Sequence, residues 1–434
     1  MDSGPDAVRG VLASLGAAFI PWGPPPEEGV GEIELAESFG AYEAEYGAIR
    51  QRVGLMDLPM RGVLEMQGGE VKDFLHRLLS CEMNGRSGGV SFGGMLLSDD
   101  GKVLADLVVH QGDDSTWLEG DVFDLPGVRE ALDRRLFAED VELAEAETFR
   151  GRRCFWLVGP AAVKALSAVA VADQSAAGHE GMSGEQVVER MGGAAGTHHV
   201  VALEGGSGGA LATVYRWDLG RVLGVRVMVQ QGDAAAVYGQ LLGAVGYEME
   251  PGEVGDGGMD AEAASANWVG WAERRRAGLR GRPVGWSAMN TVRIEEGVVW
   301  PHVDFGPDAQ PAELGKVKFE SAVSLTKGCY VGQEAVARMH NLSHPKRVLV
   351  ALEMEDERLP IAGAQVFEAD PEKRAKAPRG GVIGALTSST NAPLRGQKAV
   401  GIAMMKWGKH RKGVKVAVAA DGEMVEAEVG GLGD

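Results

Sequence analysis

The sequence predicts an α+β chain in which helices and strands interleave up to residue 344 and a small β-barrel follows. Three observations carry this expectation. Residues 70–80 place Val71, Phe74, Leu75 and Leu78 at the i, i+3, i+4, i+7 spacing of an amphipathic helix. The runs Met95-Leu96-Leu97 and Val103 to Val109 flank Ser98-Asp99-Asp100-Gly101-Lys102, and Asp-Gly between two apolar runs signals a hairpin. Beyond Pro345 helical periodicity fades, and short β-like runs recur between glycines and prolines.

In chain order, 5–20 reads as a short amphipathic helix, Pro21 to Pro26 as a proline-rich break, and Ala36 to Arg52 as a helix. Gly54 to Leu58 opens a strand. Residues 127–137 read as a further helix, and Cys154 to Val158 as a strand ending at Gly159-Pro160. The Ala- and Gly-rich region 165–210, with Gly205-Gly206-Ser207-Gly208-Gly209, reads as one or two short helices with loops. Strand character returns over 211–230, and 234–246 and 260–279 read as helices. The barrel strands are expected at 348–352, 382–384, 399–403 and 414–418.

The 434 residues suffice for two or three domains with a sizeable core. A net charge of −19 argues against broad binding to nucleic acid or an anionic membrane, though not against a local basic pocket. No apolar run approaches the ~20 residues a membrane helix needs, and Met1-Asp2-Ser3 opens no basic signal region. Cys81, Cys154 and Cys329 are far apart and odd in number, which suits a reducing, cytoplasmic setting without a disulfide framework or stable metal site.

Chemistry concentrates in Lys327-Gly328-Cys329-Tyr330-Val331-Gly332-Gln333-Glu334, closed by Arg338. Gly328 and Gly332 permit backbone conformations and close approaches that a side chain would block. From Gln333 the pattern reads as helix, with Glu334 and Arg338 four apart on one face. Cys329 then lies just before a helix N-terminus and two residues from Lys327, and both features favour a thiolate. The same run equally suits a tight turn with a buried, inert cysteine and a surface ion pair.

This run resembles the signature of the YgfZ family, relatives of the glycine-cleavage T-protein (aminomethyltransferase): Lys-Gly-Cys, Phe or Tyr, any residue, Gly-Gln-Glu, three free positions, Arg. The resemblance extends from about residue 36 to 430. It takes in Glu45-Tyr46 with Gly54 to Leu58, Gly101 to Leu107, Arg293-Ile294-Glu295-Glu296-Gly297, and Gly384 to Ser389. It is weak over 160–210 and 355–378, which read as insertions. The fold it implies is a three-domain cloverleaf: an extension over 1–35, two interleaved sheet and helix domains over 36–344, and a C-terminal β-barrel over 345–434. Tetrahydrofolate or a derivative would sit in a central channel.

By that resemblance, Asp106, Arg293, Glu295, Tyr330, Gln333, Glu334 and Arg338 contact the folate, and Cys329, Lys327 and Asp106 carry the chemistry. The alternation of Val103 to Val109 puts Asp106 on a face with Leu104 and Val108. Its carboxylate is then either desolvated, as acid–base work needs, or on a solvated face near a sheet edge. The T-protein carries two successive aspartates in the corresponding segment, one of them catalytic; here the first is Ala105. Arg293 and Glu295 read as two apart on one side of an extended segment. Glu313 partly resembles a family Pro-x-Glu-x-Gly element. His340, His344, Lys346 and Arg347 form either a basic rim for an anionic tail or a solvated face. The run Lys406-Trp407-Gly408-Lys409-His410-Arg411-Lys412 falls outside the family pattern.

The resemblance implies a folate-binding accessory protein that supports the assembly, repair or activity of iron–sulfur enzymes, with those enzymes as transient clients and Cys329 as a redox-responsive or transiently ligating thiol. The alternative is a tetrahydrofolate-dependent aminomethyltransferase or demethylase. A third reading is an interaction protein that kept the fold and lost the ligand.

Overall fold

The computed structural model describes residues 6–23, 32–86, 88–112, 115–173, 186, 198–203, 210–247, 278–369 and 378–433. The expected helix at 260–279 and the cluster Gly205 to Gly209 lie outside these residues, apart from 278–279. The chain divides into two compact units. The first comprises Met1–Val71, Gly85–Phe92 and Val108–Met289, and the second Lys72–Asn84, Gly93–Leu107 and Asn290–Asp434.

In the first unit, a seven-stranded sheet runs in the order β10-β11-β12-β13-β9-β3-β14. Its strands are β3 (Gly54–Leu58), β9 (Arg152–Val158), β10 (Ala170–Asp173), β11 (His198–Leu203), β12 (Ala210–Arg216), β13 (Gly224–Gln230) and β14 (Arg282–Pro283). All pairings are antiparallel except β14 with β3. The apolar side chains of α1 (Ala7–Ser14), α5 (Ala162–Ser167) and α6 (Ala234–Ala244) pack with Leu55, Phe155, Leu157, Val214 and Val227 in one core. Burial of these branched and aromatic side chains, at roughly 25 cal/mol per Å² of apolar surface, is the main force holding this layer. The N-terminal residues belong to this unit: Val8 and Leu12 enter its core, and β1 (Ala18–Trp22) pairs with β2 (Ile33–Ser38). The helix expected over 5–20 therefore ends at Ser14, and Pro21 sits in a strand.

Two other readings change. Among its described residues the region 165–210 contributes β10 and β11 as well as the end of α5, and β11 buries His199, Val201 and Leu203 on one face, as a strand's two-residue period allows. Ala36 to Arg52 divides into the end of β2 and α2 (Tyr42–Gln51), with Gly40 at φ +78° between them.

The hairpin formed by β5 (Val90–Leu97) and β6 (Val103–Gln111) stands where the Asp-Gly signal puts it. Ser98 N–H donates to Lys102 O at 2.9 Å, and Gly101 N–H to Ser98 O at 2.9 Å. In the first unit, β4 (Arg61–Gln67) pairs with β7 (Ser115–Asp121) and β8 (Glu142–Leu143). The amphipathic helix α3 (Val71–Leu78) buries Phe74, Leu75 and Leu78 as its period requires. The helix expected at 127–137 is α4 (Leu125–Asp133), with Pro126 in its first turn.

The second unit contains a closed six-stranded barrel in the order β15-β18-β17-β16-β19-β20. Its strands are β15 (Arg347–Met354), β16 (Gln365–Ala369), β17 (Pro378–Ala392), β18 (Lys398–Lys406), β19 (Lys415–Ala420) and β20 (Glu423–Gly430). Closure leaves no free sheet edge. Val350, Leu352, Val366, Leu386, Met405 and Val418 fill one cluster. The alternate residues Leu349, Val400 and Ile402 join a second one with Phe305, Leu314, Phe319, Tyr330 and Val336. Both faces of β15 are thus covered, which is why its sequence is a continuous apolar run. The remaining described α-helices with given bounds are α7 (Trp286–Glu295), α8 (Lys316–Ala322) and α9 (Gln333–Asn341). No described helix is long and apolar enough to cross a membrane.

Candidate functional site

The signature loop is fixed at both ends within the second unit. Lys327 is 7% exposed, and its Nζ donates to the carbonyl oxygens of His76 at 2.6 Å, Leu79 at 2.7 Å and Cys81 at 2.8 Å. An ammonium has three donors, and all three are used on carbonyls at and beyond the end of α3. Burial pushes the Lys327 pKa down. The expectation that this ammonium assists Cys329 is therefore corrected: Lys327 is a cap. Its ammonium also lies 5.0 Å from the Tyr330 ring centroid. Tyr330 is itself buried, and burial raises its pKa to about 12.

On the other side, Gly332 takes φ +78° as the N-cap of α9. A Cβ there would meet Ser98 O at 2.6 Å and Gly101 Cα at 3.1 Å. The signature thus packs against the turn of the β5–β6 hairpin, and only glycine fits. Gly328 has open space where its Cβ would be. Between the anchors, Cys329 is exposed, whereas Cys81 and Cys154 are buried. That rules out the buried, inert alternative for Cys329.

Gln333 reaches Lys327 O and Gly328 O only at 3.5 Å. Glu334 and Arg338 pair at 2.9 Å across one helical turn, as their spacing predicts, with both side chains largely in solvent. Such a pair contributes little to stability.

Asp106 lies on β6 beside exposed Leu104, opposite the buried face of Val103, Ala105 and Leu107. Its Oδ2 accepts from Lys318 Nζ at 2.6 Å, while Oδ1 is buried with no hydrogen-bond partner among the described residues. Lys318 carries no local signal in the sequence, because its partner lies 212 positions away. An orphaned carboxylate oxygen is an acceptor for a ligand N–H, and the pterin edge of a folate presents such donors.

Arg293 and Glu295 do not share a side. They lie near the end of helix α7, where residues two apart diverge around the axis. Arg293 is fully buried and donates to Asn290 Oδ1 at 2.8 Å, Val298 O at 3.1 Å and Asp304 Oδ2 at 2.7 Å. Asp304 also accepts from Trp300 N–H, Thr387 Oγ1 and Ser388 Oγ, at 2.8, 2.7 and 2.7 Å. Two motifs, Arg293-x-Glu295-x-Gly297 and Thr387-Ser388, thereby converge on one carboxylate that the sequence did not single out. Glu295 is buried and accepts from Leu394 N–H at 3.3 Å. With Glu353, Arg395, Lys398, Lys415 and Glu426 it lines a cleft of about 470 Å³ against the barrel. Glu313 completes a capping box with Gln310 and pairs with Arg347 at 3.2 Å.

The first unit has its own buried polar network, also unforeseen. Glu119 Oε1 accepts from Arg61 Nε at 2.7 Å and Arg226 Nη1 at 2.8 Å. Its Oε2 takes the Tyr215 hydroxyl and His110 Nε2, the latter at 3.1 Å. The two guanidinium groups hold the Glu119 pKa well below the usual carboxylate range against the cost of burial. Ser91 Oγ bridges His110 Nδ1 at 2.8 Å and His198 Nδ1 at 3.0 Å. Charged residues dispersed over β4, β7, β12 and β13 leave no local signal of such a cluster. No group of three or more His, Cys, Asp or Glu able to hold a metal occurs among the described residues.

Residues 21–195 match the family described as GCVT N-terminal domain. The chain is 25% identical over 392 residues to an aminomethyltransferase of Moorella thermoacetica, covering 89% of this chain and 87% of that one. It is 23% identical to an aminomethyltransferase of Corynebacterium jeikeium, covering 98% and 94% respectively. The fold matches the crystal structure of glycine cleavage system aminomethyltransferase T from Bartonella henselae with a TM-score of 0.70, at 19% identity, over 98% of this chain and 96% of that one.

Proposed function

We propose that this chain belongs with the glycine-cleavage T-protein superfamily, binds tetrahydrofolate and acts in the transfer of an aminomethyl or methyl carbon to or from it. The supporting observation is Asp106, whose carboxylate has one oxygen fixed by Lys318 and the other buried and unengaged among the described residues. Support also comes from the near-full-length similarity to aminomethyltransferases. When bound, the folate supplies the ring nitrogens that carry the one-carbon unit. Lys318 orients the Asp106 carboxylate, and Oδ1 accepts a ligand N–H or takes a proton at that atom. Ala105, buried on the opposite face, supplies no second carboxylate. Asp106 is therefore the acid–base candidate on this segment. In this reading Arg293 has a structural role, holding Asp304 from a fully buried position.

A second reading is favoured by one feature. Cys329 alone of the three thiols is exposed, on a loop clamped by Lys327 and Gly332. That presentation suits the YgfZ-type accessory role toward iron–sulfur enzymes, with the thiol working on a client.

An anaerobic tetrahydrofolate titration followed by a one-carbon assay with candidate aminomethyl and methyl donors separates the two. Saturable binding with methylene-tetrahydrofolate formation, lost in Asp106→Asn, is the expected result. Binding without turnover, combined with failure of Cys329→Ser to rescue a strain lacking its own homologue, moves the assignment to the accessory role. No binding by folded protein removes the folate reading.

A further inference from the structure

We infer that the turn after β18, together with the residues leading into β15, is a docking surface for an acidic peptide segment of a protein partner. The inference does not depend on the one-carbon reading. Lys406 to Lys412 places four Lys or Arg residues in seven positions of a chain whose net charge is −19. The barrel pairs Arg347 with Lys406, and Trp407 N–H donates to Lys346 O at 2.9 Å, so the two segments lie side by side.

Three aromatic rings are locked together there. The His344 imidazole stacks on the Trp407 indole with centroids 5.0 Å apart and planes 4° apart, and His410 lies 4.3 Å from the same ring. His344 Nδ1 lies 3.1 Å from Pro345 O, and His410 Nδ1 accepts Gly408 N–H at 3.1 Å. When neutral, the His410 ring therefore carries its proton on Nε2.

Four of the cations around this stack divide into two classes. Lys406 Nζ is used on Val382 O at 2.6 Å, and Lys409 pairs with Glu368. Lys346 and Arg411 are exposed, and neither side chain makes an ion pair or hydrogen bond with a described residue. Two uncompensated cations thus flank a fixed aromatic stack that still exposes 39% of Trp407. A preorganised aromatic anchor with neighbouring cations loses little entropy on binding and is a recurrent basis of interface affinity.

The partner class follows from the same geometry. A small anion would be held in a concave pocket, whereas these groups stand on the surface. Single-stranded nucleic acid binds by stacking bases on free ring faces, and the indole here already stacks with imidazoles. The high charge density of nucleic acid is also opposed by the net charge of the whole chain, more than a few carboxylates spaced along a peptide are.

The test is fluorescence anisotropy of a labelled Asp/Glu-rich peptide with the full chain. The reference pair is Lys346→Glu/Arg411→Glu against Lys164→Glu/Lys316→Glu, which makes the same charge change at exposed sites elsewhere. Saturable binding is expected, weakened at least ~10-fold in the first double variant, unchanged in the second, and weakened by added salt. Circular dichroism verifies that both variants fold. Equal loss in both variants, or no saturable binding by folded wild type, overturns the proposal. So does tighter binding of oligouridylate that depends on Lys346 and Arg411, which would make the surface a nucleic-acid site.

Discussion

Arg293 and Asp304 form a salt bridge of 2.7 Å with both side chains fully removed from solvent. Asp304 gathers four donors in all, from helix α7, the turn after it and strand β17. Charge-assisted hydrogen bonds of this kind are strong only while every member is present. Removing one partner leaves an uncompensated buried charge, which costs about 3–5 kcal/mol. Arg293→Ala is therefore expected to lower the urea midpoint sharply, with Asp304→Ala similar. A variant that keeps its stability and loses only folate affinity would return Arg293 to the ligand site.

Lys327→Met is expected to destabilise the chain by on the order of 3 kcal/mol, since it leaves the carbonyls of His76, Leu79 and Cys81 without their shared donor. Lys327→Arg should not restore the loss. A planar guanidinium does not present three donors to convergent carbonyls as an ammonium does. Thermal denaturation of the two variants measures both effects. Wild-type stability in Lys327→Met, with only Cys329 chemistry impaired, would make the ammonium a functional group instead.

The two glycines of the signature should behave differently. Gly332→Ala combines a left-handed backbone with a Cβ 2.6 Å from Ser98 O, and should cost more than about 1 kcal/mol. Gly328 has neither a positive φ nor a neighbour at its Cβ, so Gly328→Ala should stay within about 0.5 kcal/mol of wild type. Equal destabilisation by both substitutions would contradict this packing.

His198 gives the first unit a pH dependence. Burial, followed by the neighbouring His110 and His199, lowers its pKa from the usual 6.5 to about 3. Between those values the unfolded chain binds a proton that the folded chain does not, so stability falls as pH falls. The slope approaches about 1.4 kcal/mol per pH unit below 6.5. Glu119 acts in a different window. Its pKa is depressed in the folded state, so its contribution is complete above about pH 4.5 and fades only in stronger acid. Urea midpoints between pH 4.5 and 7.5 should show the His198 slope, and His198→Gln should flatten it. An unchanged slope in the variant would place the titration elsewhere.

Much of the fold was legible because it rests on local pattern. The period of Val71 to Leu78 is that of α3, the Asp-Gly turn marks β5–β6, and the glycine-spaced runs after Pro345 are barrel strands. Burial faces decide such elements, and a sequence displays them. The barrel strands β16 and β20 were missed: β16 has only five residues, and β20 interrupts its apolar residues with Glu426 and Glu428 instead of presenting a run. The extended reading of Arg293 to Glu295 failed because two charged residues in a short window do not fix a period.

Within the signature run, the second glycine and the i, i+4 ion pair behave as spacing requires. Which partner each side chain meets was decided by tertiary structure. Lys327 meets carbonyls some 250 positions away, Asp106 meets Lys318, and Arg293 and Thr387 meet on Asp304. Hydrogen-bond partners are chosen by distance in space and by the cost of leaving a buried group unpaired, and neither quantity is written in the local order of residues.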